Sequence, residues 1–279
     1  MGIESFVWEE KDSLLEYKSI DIKKLKKKFL LGVPIDDINR EEAMAKILNF
    51  LEDQKKVRFV LFLDPIKLFQ ISHRKKYQKF LESDLILSEG KGLLWASKRL
   101  NQPIKERISL ISFLMDLFRL AHKSKYTIYL LGSKQENIEK VYKNLSRNLP
   151  GIQIIGRQSG YFTKEWEEKI KESLKKCSPD IVLVGMGFPK QEKWIRENID
   201  LFSYQNKKSK EKKYSIVIGV DNAFDILAGK TKVPEYFLLN GLQWLWRLIV
   251  KPYRLDNWWY FFQFYSLVLW QSLKIQKEK

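Results

Sequence analysis

The stretch Asp180-Ile-Val-Leu-Val-Gly-Met-Gly-Phe-Pro-Lys-Gln-Glu-Lys-Trp194 indicates the fold class more clearly than any other part of the sequence. Its apolar run is typical of a buried strand, and two glycines and a proline lead from it to the polar start of a helix. Gly185 and Gly187 permit the backbone to approach a ligand closely. Pro189 is well placed to begin a helix, whose free amide groups attract phosphate. The stretch therefore predicts a strand, a ligand-binding turn and a helix in succession.

The first polar residues of this helix suit a phosphorylated ligand. Lys190 brings a positive charge for a diphosphate, and Gln191 offers both a donor and an acceptor to a sugar or a base. The glycine spacing differs from the dinucleotide-binding fingerprint, which needs a further glycine. A Gly-x-Gly turn taken alone also occurs in ordinary strand-to-helix connections, so the prediction of a site depends on the neighbouring turns.

Two further turns of this kind follow apolar runs elsewhere in the chain. Gly132 ends the run Leu130-Leu-Gly-Ser133, and Gly219 opens the segment Gly219-Val-Asp-Asn-Ala-Phe-Asp225. In an open α/β sheet, turns at the carboxyl ends of the strands converge on one crevice, where ligands bind. We therefore expect Gly132, Asp221 and Asp225 to join Gly185–Gln191 in one binding site.

The segment between residues 29 and 234 alternates between strand-like apolar runs and amphipathic stretches of helical length. This alternation is typical of βαβ units and predicts an α/β fold, with a mostly parallel sheet flanked by helices. Residues 1–28 are interpreted as an N-terminal extension and residues 235–279 as a helical C-terminal appendage. The expected strands are 58–63, 84–87, 126–131, 152–155, 181–184 and 215–220, and the expected helices are 65–82, 109–123, 134–147, 163–176 and 190–198.

The composition excludes several classes of protein. With 44% hydrophobic and 30% charged residues in 279 positions, the chain has the balance of a globular protein. A single cysteine, Cys177, excludes a disulfide framework and a multi-cysteine zinc site, and it suits a reducing cytoplasm. The two histidines lie in helical stretches, where packing or surface roles outweigh catalysis. No Asp-x-Asp pair occurs that would hold a metal, so we expect neither a metal nor a cofactor.

The net charge of +17 favours an anionic partner. The candidates are nucleic acid, an anionic membrane and a phosphate-bearing substrate. A soluble protein from a lysine-rich proteome carries the same surplus, so the charge alone decides nothing. The lysines are scattered and form no recognisable nucleic-acid-binding motif. We therefore expect no nucleic-acid partner.

Three carboxylates lie near predicted strand ends: Asp64, Glu89 and Asp225. A carboxylate in a cleft acts as a general base toward an attacking hydroxyl. Asp64 and Glu89 are equally compatible with helix caps, since they precede Pro65 and Gly90. Arg107 is compatible with a surface charge or with a clamp on phosphate.

The C-terminal appendage is rich in aromatic residues, among them Trp258, Trp259, Phe261 and Phe262. Its apolar run is shorter than the 20 or so residues that span a bilayer. Basic residues flank it, as in helices that lie at the headgroup interface. The alternatives are a buried C-terminal helix or a contact between copies in a homo-oligomer.

The order of these segments resembles the WecG/TagA/CpsF family of bacterial glycosyltransferases over residues 29–256. The Pro-Lys-Gln-Glu and Phe-Asp-x-Leu-Ala-Gly segments are the most specific. The resemblance rests on Gly32–Asp37, Asp84–Gly90, Glu106-Arg107, Leu130–Gly132, Gly160–Phe162, Gly185–Glu192, Phe224–Lys230, Gly241–Arg247, Pro252 and Arg254.

The resemblance implies an inverting, metal-independent transfer of a sugar, often N-acetylmannosamine, in the synthesis of cell-surface polysaccharide. The donor would be a UDP-sugar and the acceptor a sugar on a polyprenyl diphosphate. The enzyme would then be cytoplasmic and attached peripherally to the inner face of the cell membrane through its C-terminal appendage. Glu89 or Asp64 would take the acceptor proton and Arg107 and Lys190 would steady the diphosphate, while Arg247 and Arg254 would complete the pocket.

The sequence departs from the family pattern at several expected pocket positions. The family's Thr-x-Asn appears as Phe62-Leu-Asp64, and its Asp-Gly appears as Glu89-Gly90. Its Thr-Gly-x-Asp appears as Ser109-Leu110-Ile-Ser112, and Asp221 replaces an expected glycine. These changes motivate a second hypothesis, a catalytically degenerate member that binds nucleotide-sugar or lipid-linked glycan as a scaffold.

Overall fold

The computed structural model describes residues 13–22, 26–205, 212–230, 234, 236–237, 246 and 255–277, except for the side chains of residues 13, 14 and 255–258. Three predicted site residues are affected. Arg247 and Arg254 lie outside the described residues, and so does the side chain of Trp258.

The α/β fold predicted from the alternating pattern is confirmed. The described strands are β1 (Lys27–Leu30), β2 (Val33–Asp36), β3 (Arg58–Leu63), β4 (Leu85–Ser88), β5 (Ile128–Gly132), β6 (Ile154–Gln158), β7 (Ile181–Gly185), β8 (Ser203–Gln205), β9 (Lys212–Tyr214) and β10 (Ile216–Gly219). Six of them form a parallel sheet in the order β4-β3-β10-β7-β5-β6. Strands β4, β5, β7 and β10 are buried along their whole length, as expected of parallel strands covered on both faces.

The described helices flank these strands. They are α1 (Ser13–Ser19), α2 (Arg40–Asp53), α3 (Pro65–His73), α4 (Lys75–Gln78), α5 (Lys91–Arg99), α6 (Leu110–Ser124), α7 (Gln135–Asn148), α8 (Lys164–Cys177), α9 (Lys190–Glu197), α10 (Ala223–Leu227) and α11 (Leu255–Lys277), with 3₁₀ turns at Lys79–Glu82 and Ile199–Phe202. Most predicted helices are confirmed to within two residues at each end.

The prediction of one helix over residues 65–82 is wrong. The segment forms α3, α4 and a 3₁₀ turn, because Arg74 has an extended backbone between the two α-helices. The guanidinium of Arg74 donates a hydrogen bond to the Tyr260 hydroxyl and lies 5.3 Å from the centroid of that ring. A contact with α11, distant in sequence, thus accompanies a break that local helical periodicity does not predict.

Strand β6 also differs from its prediction, since it covers Ile154–Gln158 rather than residues 152–155. It continues through Gly156, where a Cβ atom would lie 2.2 Å from the ring of Tyr129. The tyrosine ring occupies the space of the missing side chain, so a glycine that read as a strand end lies inside the strand.

The described residues divide into two compact units. The first comprises residues 13–21, 41–60, 111–205 and 212–230. In its sheet, Val217 of β10 pairs with Phe59 of β3 on one side and with Val182 of β7 on the other. A short antiparallel pair, β8 and β9, lies near the amino end of β10. This unit carries the turns at Gly132, Gly185 and Gly219.

The second unit comprises residue 22, residues 26–40 and 61–110, and the described residues after 232. The hairpin β1–β2 lies beside β4, where the buried Asp36 carboxylate accepts a 2.8 Å hydrogen bond from the Ile86 amide. Helix α11 packs against α3 and α5 through Phe264 and Val268, which are fully buried. This unit carries Asp64, Glu89 and Arg107.

Candidate functional site

The strand-end turns of the first unit touch one another backbone to backbone. A Cβ atom on Gly132 would lie 2.3 Å from the carbonyl oxygen of Gly185, and one on Gly160 would lie 2.9 Å from the Cα of Gly132. The Ser133 amide donates to the Gly185 carbonyl at 2.9 Å, and the Gly160 amide donates to the Ser133 carbonyl at 2.9 Å. These contacts hold the ends of β5, β6 and β7 so close together that no side chain fits at Gly132 or Gly160.

We expect Gly132→Ala to lower the free energy of unfolding by about 3 kcal/mol, because the added methyl group meets Gly185 and the φ of +151° suits glycine alone. Gly151→Ala is the matched control, since its φ is also positive at +89° but a Cβ atom there meets nothing within 4 Å. The control should lose only about 1 kcal/mol. Urea denaturation measures both, and equal losses would contradict the close contact.

Gln191 joins the turn after β7 to the turn after β10. Its side chain is fully buried, and its Oε1 atom accepts hydrogen bonds from the amides of Gly187 and Asp221 at 3.2 and 2.9 Å. Its Nε2 atom donates to the carboxylates of Asp221 and Glu192, both at 2.9 Å. The sequence prediction gave Gln191 a direct contact with the ligand, whereas the structure uses its amide to hold two turns together.

Asp225 makes a second connection between strand-end turns. Its carboxylate accepts hydrogen bonds from the Ser133 hydroxyl and from the Asn137 amide, the latter at 2.7 Å. Asn137 also donates to the Ser133 hydroxyl at 3.0 Å. These bonds tie the start of α10 to the end of β5 and the first turn of α7, so Asp225 too holds turns together.

Lys190 is an exposed cation at the start of α9. Its Nζ atom donates to the Gly160 carbonyl at 3.0 Å and lies 5.5 Å from the Phe162 ring centroid. An ammonium group has three donors, so this bond leaves donors for a ligand. Next to it, the side chain of Tyr161 is 73% exposed. The position of Lys190 thus fits the predicted phosphate contact.

The backbone of the turn after β7 leaves room for a ligand. Gly187 has a φ of +77°, which glycine adopts readily, and a Cβ atom built there would meet nothing within 4 Å. Helix α9 begins at Lys190, and Pro189 occupies the N-cap position, where no side chain caps the helix. The helix begins at the predicted residue, with Pro189 directly before it. The start of α9 thus places Lys190 close to the open side of Gly187.

In the second unit, the structure brings Glu89 and Arg107 together at the carboxyl end of β4. Glu89 follows this strand directly, and its amide donates to the Leu63 carbonyl at 2.6 Å. The loop that carries Arg107 is fixed to the same strand end, because the Ile108 amide donates to the Ser88 carbonyl and the Ser88 hydroxyl donates to the Glu106 carbonyl, both at 2.8 Å.

Burial and two nearby carboxylates both influence the pKa of Arg107. Burial lowers the pKa of the Arg107 guanidinium, and the negative charges of Glu89 and Glu106 act in the opposite direction. A half-buried guanidinium beside a carboxylate has the chemistry to meet a phosphate and an attacking hydroxyl. Of the two open interpretations, a surface charge or a phosphate clamp, the partial burial favours the clamp.

Asp64 caps helix α3. Its Oδ1 atom accepts a 2.8 Å hydrogen bond from the Lys67 amide, so the helix-cap alternative is confirmed for Asp64. The corresponding alternative for Glu89 does not hold, because the N-cap residue of α5 is Gly90. The buried Lys67 ammonium donates to the Phe62 carbonyl at 3.0 Å.

Two of the positions that depart from the family pattern lie in the core. Phe62 is fully buried and Leu110 is 4% exposed, so these side chains fill space between secondary-structure elements. The expectation that all the departures cluster in the pocket is therefore wrong for these two. Ser112 is half-buried on α6.

The sequence analysis did not identify three side chains that form hydrogen bonds near the strand ends, those of Ser133, Asn137 and Lys67. Ser133 lies two residues before α7 and Asn137 lies in its first turn, a spacing of four residues across the helix start. That spacing was a usable signal, but the partner they share, Asp225, is distant in sequence. Nothing in the sequence indicated that the lysine at position 67 would be buried.

Helix α11 is buried on one side only. Trp259 and Phe262 are 65% and 57% exposed, and Leu269, Trp270 and Leu273 are also exposed on that side. The Lys274 ammonium lies 3.7 Å from the Trp270 ring centroid. The buried-helix alternative is therefore correct for the side with Phe264 and Val268. No helix among the described residues is both long and apolar enough to cross a bilayer.

The chain is similar to known glycosyltransferases. The model of the glycosyl transferase WecG/TagA/CpsF family matches residues 28–278. A Bacillus spizizenii protein is 28% identical over 204 residues, which are 72% of this chain and 75% of that protein. A Staphylococcus aureus protein is 27% identical over 231 residues, 82% and 86% of the two chains. Both relatives are named N-acetylglucosaminyldiphosphoundecaprenol N-acetyl-beta-D-mannosaminyltransferase.

Proposed function

Because the chain belongs to the WecG/TagA/CpsF family of glycosyl transferases, we propose that it transfers a sugar from a UDP-sugar to an acceptor on a polyprenyl diphosphate. The names of the two relatives favour N-acetylmannosamine as the sugar and an N-acetylglucosaminyl diphosphoundecaprenol as the acceptor. The product would enter the synthesis of cell-surface polysaccharide. The observation that carries the proposal is that backbone hydrogen bonds place both Glu89 and the loop of Arg107 at the carboxyl end of β4.

The turns of the first unit are assigned to the donor. Lys190, at the start of α9, would meet the diphosphate, since a helix start and a cation both attract phosphate. Gly187 would allow the ligand to lie directly against the backbone. The backbone beneath this surface would be held in place by the strand-end residues Gly132, Gly185, Asp221 and Asp225.

Glu89 is assigned as the general base. In an inverting transfer, the acceptor hydroxyl attacks the anomeric carbon as the bond to the UDP oxygen breaks, and the hydroxyl proton passes to the carboxylate. The electron pair leaves on the diphosphate, whose added charge Arg107 would stabilise. Arg247 and Arg254 are proposed to assist there on sequence grounds. In this scheme the cationic side chains perform the role that a metal ion has in other transferases.

Titration calorimetry with UDP, followed by an assay of donor turnover, tests the proposal. We expect saturable UDP binding and turnover that is unchanged by a chelator such as EDTA. Binding without any turnover would favour the scaffold hypothesis instead, and absence of UDP binding would contradict both. Phe62 and Leu110 are buried, so these two side chains are not exposed to a ligand in either case.

We propose that the exposed side of α11 docks the enzyme on the inner face of an anionic membrane, which gives access to a lipid-linked acceptor. This side consists of Trp259, Phe262, Leu269, Trp270 and Leu273. Lys274 and Lys277 lie at its C-terminal end, and cations near a membrane surface add about 1 kcal/mol each toward anionic lipid. Aromatic and basic side chains together are typical of an interfacial helix.

We expect the double variant Trp259→Ser/Phe262→Ser to bind vesicles of phosphatidylglycerol and phosphatidylethanolamine about tenfold more weakly, because two apolar side chains no longer enter the interface. Point substitutions are preferable to deletion of residues 236–279, since Phe264 and Val268 are part of the core. Leu15→Ser/Trp166→Ser is the matched control, because both side chains are exposed and lie outside α11.

Flotation of the vesicles measures the bound fraction of each variant. Unchanged flotation of the α11 variant would contradict membrane docking. Unchanged flotation together with a smaller particle in analytical ultracentrifugation would assign the exposed side of α11 to a contact between copies of the chain.

A further inference from the structure

We infer that Gln191 and Asp221 act as positioning residues, forming a buried latch that orients the turns after β7 and β10 for the UDP diphosphate. The inference rests on the proposed function, since it concerns the same donor surface. The latch consists of these two side chains and the hydrogen bonds between them.

The hydrogen bonds of Gln191 leave its amide no capacity for a ligand. A side-chain amide has two donor hydrogens and two acceptor positions. Here the two acceptor positions are filled by the Gly187 and Asp221 amides, and the two hydrogens go to the Asp221 and Glu192 carboxylates. The side chain is also fully buried. Gln191 therefore acts on a ligand only through the turns that it holds.

Asp221 forms hydrogen bonds with Gln191 through both its backbone amide and its side-chain carboxylate. Its backbone has a φ of +48°, a left-handed conformation that aspartate tolerates better than most residues. In this conformation its amide donates to Gln191 Oε1 while its carboxylate accepts from Gln191 Nε2, each at 2.9 Å. The carboxylate is thereby turned toward a buried neutral amide.

Gly219 allows the Gln191 side chain to lie directly against the backbone of β10. A Cβ atom at this position would lie 2.8 Å from Gln191 Nε2, so the glutamine amide rests directly against the backbone of β10. The Gln191 amide nitrogen of the main chain also donates to the Gly187 carbonyl at 3.0 Å. One side chain thus holds the turn after β7 at a set distance from β10.

The latch also decides which backbone groups meet a ligand. The amides of Gly187 and Asp221 are already bonded to Gln191, so they do not contribute to phosphate binding. The ligand-facing groups of the turn are then the Lys190 ammonium and the open side of Gly187. Loss of the latch would displace these groups without removing any of them, which distinguishes a positioning role from direct contact.

The test compares UDP affinity in variants that differ in a single acceptor. Asp221→Gly keeps the left-handed backbone and removes the carboxylate, and we expect it to weaken UDP binding about tenfold. Asp221→Asn keeps an acceptor oxygen and also tolerates the left-handed conformation, so its affinity should stay within about threefold of the parent. Gln191→Met should weaken binding about tenfold, and the double variant with Asp221→Gly should be no weaker than either single variant.

Glu167→Ala is the control for a purely structural effect. It removes the 2.8 Å hydrogen bond from Trp194 Nε1, which restrains α9 without involving the latch. We expect it to lower the melting temperature while the dissociation constant for UDP and the donor KM stay unchanged. For the latch variants, the donor KM should rise and the acceptor KM should not.

Each result has one meaning. If the parent binds no UDP, the proposed function fails and the donor-positioning role fails with it. If the parent binds UDP and Asp221→Gly binds equally well, the latch is overturned while the proposed function stands. Should Gln191→Met not fold, the comparison of Asp221→Gly with Asp221→Asn decides, and equal affinities would overturn the latch.

Discussion

Glu89→Gln should lower the rate of sugar transfer about 100- to 10,000-fold while the protein stays folded. The amide has the shape of the carboxylate but does not take a proton from the acceptor hydroxyl. Glu89 is half-buried, follows β4 directly, and is attached to the fold through its backbone amide. The substitution keeps this backbone attachment, so the protein should remain folded. Steady-state kinetics with the UDP-sugar and a lipid-linked acceptor measure the effect.

Two further variants make the Glu89 result specific. Glu106→Gln is the matched control, since Glu106 also lies near Arg107 but is exposed and accepts a hydrogen bond from the Arg40 amide. It should change turnover less than threefold or so. Asp64→Asn keeps an effective helix cap and removes the other candidate base. Loss of transfer in Asp64→Asn with retention in Glu89→Gln would move the base to Asp64.

Arg107→Met should reduce kcat/KM about 10- to 100-fold, because a hydrogen-bonded cation in a partly buried site contributes about 1.5–3 kcal/mol. The thioether retains much of the stem and removes the charge beside Glu89. Arg107→Lys should recover only part of the loss, since an ammonium group lacks the fork that binds two phosphate oxygens. The effect should fall on transfer and on UDP affinity together.

Lys105→Met is the control for Arg107, as Lys105 is exposed in the same loop and its backbone amide donates to Asp37. It removes one positive charge without altering the end of β4, so kcat/KM should be nearly unchanged. Equal losses in the Lys105 and Arg107 variants would mean that overall charge, and not the placement of Arg107, promotes activity.

The strands of the sheet could be predicted because burial of parallel strands leaves a direct mark on the sequence. Ile181–Val184 and Ile216–Ile218 are continuous apolar runs that end in glycine, and both form central strands. The helix around Arg74 could not be predicted in the same way. Its break coincides with a hydrogen bond from Arg74 to Tyr260, which follows 186 positions later in the chain.

The contacts among the strand-end turns were predictable, but the hydrogen bonds made by their polar side chains were not. The glycines at the ends of β5 and β7 indicated close backbone approach, and Gly132 and Gly185 do lie in contact. Gln191 was expected to face a ligand because its amide donates and accepts. Its direction depends on which loop lies beside it, and pairing between loops leaves no periodic signal in the sequence. Phe62 was misplaced for a similar reason, since burial of a strand-end side chain follows from packing.

The most direct measurement of the proposed activity is mass spectrometry of the lipid product after incubation with UDP-N-acetylmannosamine and an N-acetylglucosaminyl diphosphopolyprenol. We expect one N-acetylmannosamine to be added to the acceptor, with release of one UDP, and no addition by Glu89→Gln. If the wild-type protein binds UDP but leaves the acceptor unmodified with this donor and with other UDP-sugars, glycosyl transfer is contradicted.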